Sequence, residues 1–353
     1  MIIPTEPIGS IPRPGYLIEA MTAHGEGRLD DAGLAEAMDR AVAETVAAME
    51  ATGSPVITDG EQSKPSFATY PLSGLDALAP DGVVIPFEDG HTRQLPRLTA
   101  GPFRYTTYSG AYVAAAKRHA SRPVKQAVIA PSAISLIYPQ DGIDGYPRDA
   151  FIADLVNECE KDIRSAFEAG ADSVQIDFTE GRLCCKLDPS RGLLRAFVEL
   201  NNAVLGRFSE EERSRIGVHT CPGGDQDSTH SADVDYAELL PDLFAIQAGR
   251  FFVQMASEAD RPRVLDIIAR ERRAGQTVFI GVTDPIDPRV ESAEEVCDRI
   301  LEAAEHLGTD GLGCTDDCGF SPFGDDVSTA RDTAIAKIQA RVEGAKLAGD
   351  RLG

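Results

Sequence analysis

Ser173-Val174-Gln175-Ile176-Asp177, then an amphipathic stretch over residues 193–208, then Ile216-Gly217-Val218-His219 is the part of the sequence that decides the fold. Both short runs are mostly apolar and bounded by turn residues, so they read as buried strands. The stretch between them spaces its apolar residues by three and four, so it reads as a helix. Strand, helix, strand is the parallel βαβ unit. The same rhythm runs outward in both directions. Residues 55–59 and 124–131 are earlier strands, and residues 251–255, 278–282 and 311–315 are later ones. Helical patterns cover residues 34–50, 151–169, 236–247, 261–273, 293–306 and 328–348. Ser292 ahead of Glu294 and Glu295 has the form of a helix N-cap with an acidic first turn.

That makes at least seven strands, with residues 3–8 a candidate for the first. Eight would close the ring, so the expected architecture is α/β, a single (β/α)8 TIM barrel over residues 1–353. The competing open doubly wound sheet is weakened because no Gly-x-Gly-x-x-Gly follows the first strand. Residues 75–113 are less regular and carry Pro80, Pro86, Pro96 and Pro102; they read as an insertion, a hairpin or lid.

Composition narrows the function. The 353 residues hold 34 Lys plus Arg against 57 Asp plus Glu, a net charge of −23. Neutralising phosphate needs the opposite surplus, so nucleic acid is an unsuitable partner. A polybasic hold on anionic lipid is excluded on the same ground. No apolar run is long enough to span a bilayer, and residues 1–14 lack a signal-peptide core. The seven cysteines are an odd number in a large acidic chain. They read as reduced thiols of a cytoplasmic protein, some available to metal. Oligomeric state is not legible.

Val218-His219-Thr220-Cys221 carries the strongest chemical signal. It ends a strand, which in a barrel is the catalytic face. Two residues apart in an extended segment, His219 and Cys221 point to one side. Imidazole and thiolate suit zinc, and a third ligand is expected from Gly313-Cys314-Thr315-Asp316-Asp317-Cys318-Gly319. Carboxylates stand at other strand ends: Asp59 and Glu61, Asp177 and Glu180, and Asp284. Such groups suit a substrate ammonium or proton transfer. His230, in the polar stretch after Cys221, reads as a surface-loop histidine and is kept as a candidate mobile general acid. Cys184 and Cys185 read as incidental loop residues, and Cys159 and Cys297 as helix packing.

Together these segments resemble the cobalamin-independent methionine synthase family, in its C-terminal catalytic barrel, over nearly the whole chain. Pro7-Ile8-Gly9-Ser10-Ile11-Pro12 is similar to the family's opening Ile-Gly-Ser-Phe-Pro segment, so the resemblance implies that Ser10 touches the amino-acid substrate. Asp59-Gly60-Glu61 and Gln175-Ile176-Asp177 are similar to segments whose carboxylates bind the homocysteine amine, implying that role for Glu61 and Asp177. His219-x-Cys221 matches the paired zinc ligands, and Asp317-Cys318-Gly319 matches the segment of the second zinc cysteine, which selects Cys318 over Cys314. The resemblance implies an enzyme that binds a thiol to Zn2+ as a thiolate and S-methylates it, with homocysteine the acceptor and Asp284 the candidate acid.

The chain also departs from that pattern. Where the family has a glutamate as fourth zinc ligand, this chain offers Gln254 or Met255, so three protein ligands are expected. A histidine two residues beyond Asp284 is absent: the run is Asp284-Pro285-Ile286. There is no tryptophan to stack on a pterin. The sequence does not name the methyl or alkyl donor, whether folate, methylated corrinoid or epoxide. The same barrel resembles epoxyalkane:coenzyme M transferase, whose sulfonate thiol would need Arg13, Lys64 or Arg182 where an ammonium needs Glu61 and Asp177. A zinc-free relative that only binds a ligand is the third reading.

Overall fold

Six of the expected strands form one sheet in the computed structural model, which describes residues 1–353. They are β1 (Lys125–Ile129), β2 (Ser173–Asp177), β3 (Ile216–Thr220), β4 (Arg250–Val253), β5 (Thr277–Thr283) and β6 (Leu312–Asp316). Every pair is parallel, and each strand lies beside the next one in the chain. Four of the six are buried at every position, as a parallel sheet covered by helices requires.

The segments expected as the first two strands are reduced to single bridges at the sheet's two edges. Thr5 pairs with Cys314 beside β6, and Ile57 pairs with Val124 beside β1. Prolines explain the shortening: Pro4, Pro7 and Pro55 have no N–H to give a ladder. Between the two segments, Thr58 Oγ1 donates to the Gly9 carbonyl at 2.8 Å and Ile11 N donates to the Gly60 carbonyl at 3.0 Å.

Helices between the strands largely follow the apolar spacing. Ser292 caps Ala293–Leu307 with a complete capping box to Glu295. The helix expected at 236–247 is instead a short 3-10 turn, Tyr236–Glu238, then Leu240–Leu243, where Pro241 sits in the first turn. Cys184 and Cys185 lie buried in a helix, Glu180–Leu187, and not in a loop. Within the stretch expected to be irregular, Val84–Pro86 and Thr92–Gln94 form an antiparallel hairpin, and Leu78–Ala79 pairs with Arg97–Leu98. That stretch ends early, because a helix, Gly110–Lys117, has already begun. No helix is long and apolar enough to cross a membrane.

Inside the sheet, alternate residues stack in layers. Phe252 on β4 and Phe279 on β5 stack with ring centroids 4.7 Å apart. The neighbouring strands make room with glycine: a Cβ at Gly217 would lie 2.5 Å from the Phe252 ring, and one at Gly313 2.5 Å from Phe279.

Candidate metal and substrate site

His219 stands directly beside Asp177 in the register of β3 and β2. Cys221 follows one step past the end of β3, and Cys318 follows the end of β6. One nitrogen of His219 and the two sulfurs all lie within 4.8 Å of one another, and His219 and Cys221 are buried. The sulfurs are 3.1 Å apart, and both thiols are free. His219 Nδ1 meets Asp177 Oδ1 at 3.2 Å, and Nε2, 3.3 Å from the Asp317 carbonyl oxygen, is the nitrogen that could face a metal. Two soft thiols and an imidazole, oriented by a buried carboxylate, fit a zinc-type ion. Cys314 is not in this group. Nor are Gln254 and Met255: Gln254 Oε1 accepts from Arg182 at 2.8 Å, and Met255 is buried.

The loop that delivers Cys318 is anchored through Asp317. Its carboxylate accepts the backbone N–H of Met255, Ala256 and Ser257 and the Ser257 hydroxyl, each at 2.8 Å. Gly281 leaves the space: a Cβ there would sit 1.8 Å from Asp317 Oδ1. The anchor ties the ends of β4 and β6 together across 60 to 62 residues of chain, a separation that no local pattern marks.

A cavity of about 340 Å³ opens on one side of the cysteines. Ser10, Glu61, Asp177, His219, His230 and Cys318 line it, so seven of the eight expected site residues meet here: six on its wall and Cys221 at the metal group. Glu61 occupies a left-handed turn (φ 55°) and is buried. Its Oε1 is 3.8 Å from Lys64 Nζ, and its Oε2 has no hydrogen-bond partner. Burial pushes this carboxyl up to about 7; Lys64 opposes the shift, while Asp177 and Asp59 add to it. Gly9 is needed beside it, since a Cβ there would lie 2.8 Å from Glu61 Oε1. Ser10 Oγ accepts the Ser321 N–H at 3.1 Å.

His230 differs from the surface-loop expectation. It is buried, with Nδ1 3.0 Å from Ser231 Oγ and its ring edge-on to Phe87. Burial, reinforced by Lys186 and Arg182, pushes its pKa down to about 4. At neutral pH it is a neutral wall of the cavity and carries no proton to donate as an imidazolium.

Asp284 also stands apart. It lines a second cavity of about 320 Å³, which shares Gly224, Cys318, Gly319 and Pro322 with the first. Burial raises its pKa, and its Oδ1 accepts the Ile286 N–H at 3.0 Å. The cysteine segment is thus a wall between two cavities, with Asp284 on the far side from Glu61.

The cations that an anionic acceptor would need are already engaged. Arg13 donates to the carbonyls of Glu61, Lys64 and Phe323. Lys64 donates to the Ala127 carbonyl at 2.9 Å. Arg182 holds Glu258, Gln254 and the carbonyls of Ala232 and Val234. Over the first cavity lies the 84–94 hairpin, contributing Ile85, Phe87 and Arg93. Arg93 forks onto Asp225, also reaches Asp325 at 2.9 Å and lies 4.1 Å over the Phe323 ring. The sequence marked an insertion here but not its latch, because Arg93 and Asp225 are 132 residues apart.

Known proteins resemble this chain along nearly its whole length. The profile of the family described as "Cobalamin-independent synthase, Catalytic domain" matches residues 3–346. A methionine synthase of Saccharolobus solfataricus is 23% identical over 354 residues, covering 99% of this chain and 96% of its own. One from Sulfurisphaera tokodaii is 21% identical over 351 residues, with 99% and 94% covered. Among solved structures, a B12-independent methionine synthase from Shewanella sp. W3-18-1, in complex with selenomethionine, superposes with a TM-score of 0.78 at 19% identity, covering 100% of this chain and 99% of its own. A Listeria monocytogenes protein described as a putative vitamin-B12 independent methionine synthase gives 0.74 at 21% identity, with 100% and 99% covered.

Proposed function

We propose a function from one premise: the chain belongs to the cobalamin-independent synthase family, through its catalytic domain. The reading is a cytoplasmic zinc-dependent methyltransferase that S-methylates an amino-acid thiol, with homocysteine the acceptor and a small molecule the methyl donor. Its architecture is read as one barrel domain over residues 1–353, the edge bridges at Thr5 and Ile57 standing for the first two of eight strands. Residues 75–113 are read as an insertion whose hairpin covers the site.

One observation carries the reading. Glu61, a buried carboxylate with a partnerless oxygen, lines the same cavity as His219 and Cys318. A small amino thiol can put its ammonium on the one and its sulfur at the other. A buried carboxylate oxygen without a partner is costly unless a ligand answers it. The methionine synthase relatives, one of them solved with selenomethionine, support an amino-acid occupant. The engaged state of Arg13, Lys64 and Arg182 speaks against a sulfonate thiol.

His219, Cys221 and Cys318 would hold the zinc, which lowers a bound thiol's pKa so that the thiolate is present at neutral pH. Glu61 and Asp177 take the acceptor's ammonium, and Ser10 contacts the amino acid. Holding the sulfur in place supplies orientation as much as chemistry. The sulfur forms its bond to the methyl carbon as the donor's bond to that carbon breaks, and the donor keeps the electron pair. Asp284, on the donor side, supplies a proton to the departing group. Phe87, neutral His230 and the hairpin exclude water.

The test is zinc content of the purified protein, followed by zinc absorption-edge spectra on adding homocysteine or coenzyme M. Stoichiometric zinc that gains a sulfur from homocysteine is expected, and Cys221→Ala should lose both zinc and methyl transfer. Protein that never takes up zinc, or active zinc-free Cys221→Ala, refutes the reading. A sulfur gained only from coenzyme M refutes the acceptor.

A further inference from the structure

We propose that Lys125 and Gln175 are positioning residues, which hold Asp177 and through it the ligating state of His219 by a directed chain of hydrogen bonds up the interior of the sheet. The inference rests on the reading of His219 as a metal ligand. Lys125 Nζ donates to Gln175 Oε1 at 2.8 Å. Gln175 Nε2 donates to Asp177 Oδ1 at 2.7 Å. The same Asp177 oxygen meets His219 Nδ1 at 3.2 Å. All four side chains sit in pleat register across β1, β2 and β3, and all are buried.

The direction of this chain follows from chemistry. An ammonium only donates, so Gln175 must present its carbonyl oxygen to Lys125. Its amide nitrogen then faces Asp177, which can only accept when ionised. With one donor fixed on Oδ1, the carboxylate is held against rotation and takes the Nδ1–H of His219. That favours the Nδ1–H tautomer, in which Nε2, 3.3 Å from the Asp317 carbonyl oxygen, carries the lone pair that a metal would take. The arrangement has an anchored foot. Lys125 lies 3.7 Å from Glu6 Oε2 and 4.0 Å over the Phe252 ring, and Arg250 holds Glu6 Oε1 at 2.8 Å.

A purely structural core would not be built this way. A fully buried lysine carries a desolvation cost that an apolar residue avoids. The lysine's hydrogen bond is directed along the strand axis toward the metal group, one strand step at a time. Asp177 also lines the acceptor cavity. The chain thus leaves the second carboxylate oxygen for the acceptor, while Oδ1 is reserved for His219.

The experiment uses the full-length metal-free protein with Co2+ as the probe. Gln175→Leu removes both hydrogen bonds at similar volume. Gln175→Glu keeps an acceptor for Lys125 but sets a second carboxylate against Asp177. Lys125→Met removes the foot. For each, Co2+ affinity is measured by competition, the ligand-field spectrum is recorded, and the unfolding midpoint of the metal-free protein is determined. A group hydrogen-bonded directly to a metal ligand, as Asp177 is to His219, is worth about 10–100-fold in metal affinity. Acting through that group, Gln175→Leu and Gln175→Glu should weaken Co2+ by up to about tenfold and alter the spectrum, with Lys125→Met weaker in effect. Lys125→Arg should restore most of the affinity. Should Gln175→Leu fail to fold, Gln175→Glu alone decides. Variants that lose thermal stability but bind Co2+ with wild-type affinity and spectrum overturn the positioning role while leaving the metal site standing. Wild-type protein that takes up no Co2+ overturns the metal reading itself, and this inference with it.

Discussion

The buried carboxyl of Glu61 sets a pH dependence that can be worked from the structure. Its pKa without acceptor is pushed up to about 7, first by burial, with Lys64 opposing and Asp177 and Asp59 reinforcing. An ammonium is bound by the ionised form only. The ionised fraction is roughly a tenth at pH 6 and roughly nine-tenths at pH 8. The acceptor KM should therefore be about tenfold higher at pH 6 than at pH 8, with a log slope near −1 below pH 7 and a plateau above pH 8. Glu61→Gln removes the charge but keeps the shape. A hydrogen bond to a charged group is worth about 1.5–3 kcal/mol, so its KM at pH 8 should rise roughly 10- to 150-fold and lose the slope.

The assay is initial-rate kinetics from pH 5.5 to 8.5, with metal content measured at each pH so that metal loss in acid is not mistaken for Glu61. The fold supplies an independent check. Glu61's native pKa lies above its ordinary value of 4.5, so the native state holds the proton more tightly. Stability from this group is present below pH 4.5 and is lost as pH rises towards about 7. Glu61→Gln should thus unfold at a higher temperature than wild type at pH 8. A wild-type KM that is flat between pH 6 and 8, or a Glu61→Gln profile with the wild-type slope, refutes Glu61 as the amine receptor.

Arg93→Ala removes the fork onto Asp225, so the 84–94 hairpin should become a site of limited proteolysis in the native protein, and the acceptor KM should rise; an unchanged cleavage pattern counts against the latch. Gly313→Ala places a methyl 2.5 Å from the Phe279 ring and should cost about 1–3 kcal/mol, read as a lowered unfolding midpoint, with Phe279→Leu in the same chain recovering part of the loss. Asp284→Asn should lower kcat while leaving the acceptor KM unchanged, because Asp284 lines the second cavity alone; a raised acceptor KM would place it in the wrong role.

What was legible in the sequence tracks how local its cause is. The six sheet strands were readable because parallel strands buried on both faces are continuous apolar runs, as at Val174 or Val218. The edge segments misled: residues 3–8 and 55–59 have strand-like apolarity, but Pro4, Pro7 and Pro55 remove the donors a ladder needs. His219 and Cys221 were visible through their two-residue spacing on one strand. Cys318 was separable from Cys314 only by resemblance, since spacing alone left both open. His230 could not be placed, because its burial depends on Gly223: a Cβ there would fall 1.8 Å from His230 Nε2. Asp317, Lys125 and Arg93 act through contacts 50 or more residues away, which no local pattern carries.

The two cavities give the proposed transfer a spatial logic. In a direct displacement the nucleophile and the leaving group lie on opposite sides of the carbon that moves. Here Glu61 and Asp177, the proposed recognition groups of the acceptor, face the first cavity, while Asp284 faces the second. Between them stands a thin wall, Gly224 with the Cys318-Gly319 segment, lining both cavities. Two of these wall residues are glycines, and a Cβ at Gly319 would lie 2.2 Å from Ser10 Oγ, displacing the hydroxyl that accepts the Ser321 N–H. The proposed displacement needs the sulfur, held beside His219 and Cys318, in direct contact with the methyl carbon, so it would take place at the edge of this segment, where both cavities reach Cys318. Asp317 keeps that wall in place by its grip on residues 255–257. Widening the wall should therefore impair transfer more than acceptor binding: Gly224→Val should lower kcat at near-normal acceptor KM, and an equal loss in both would mean that the two cavities act as one.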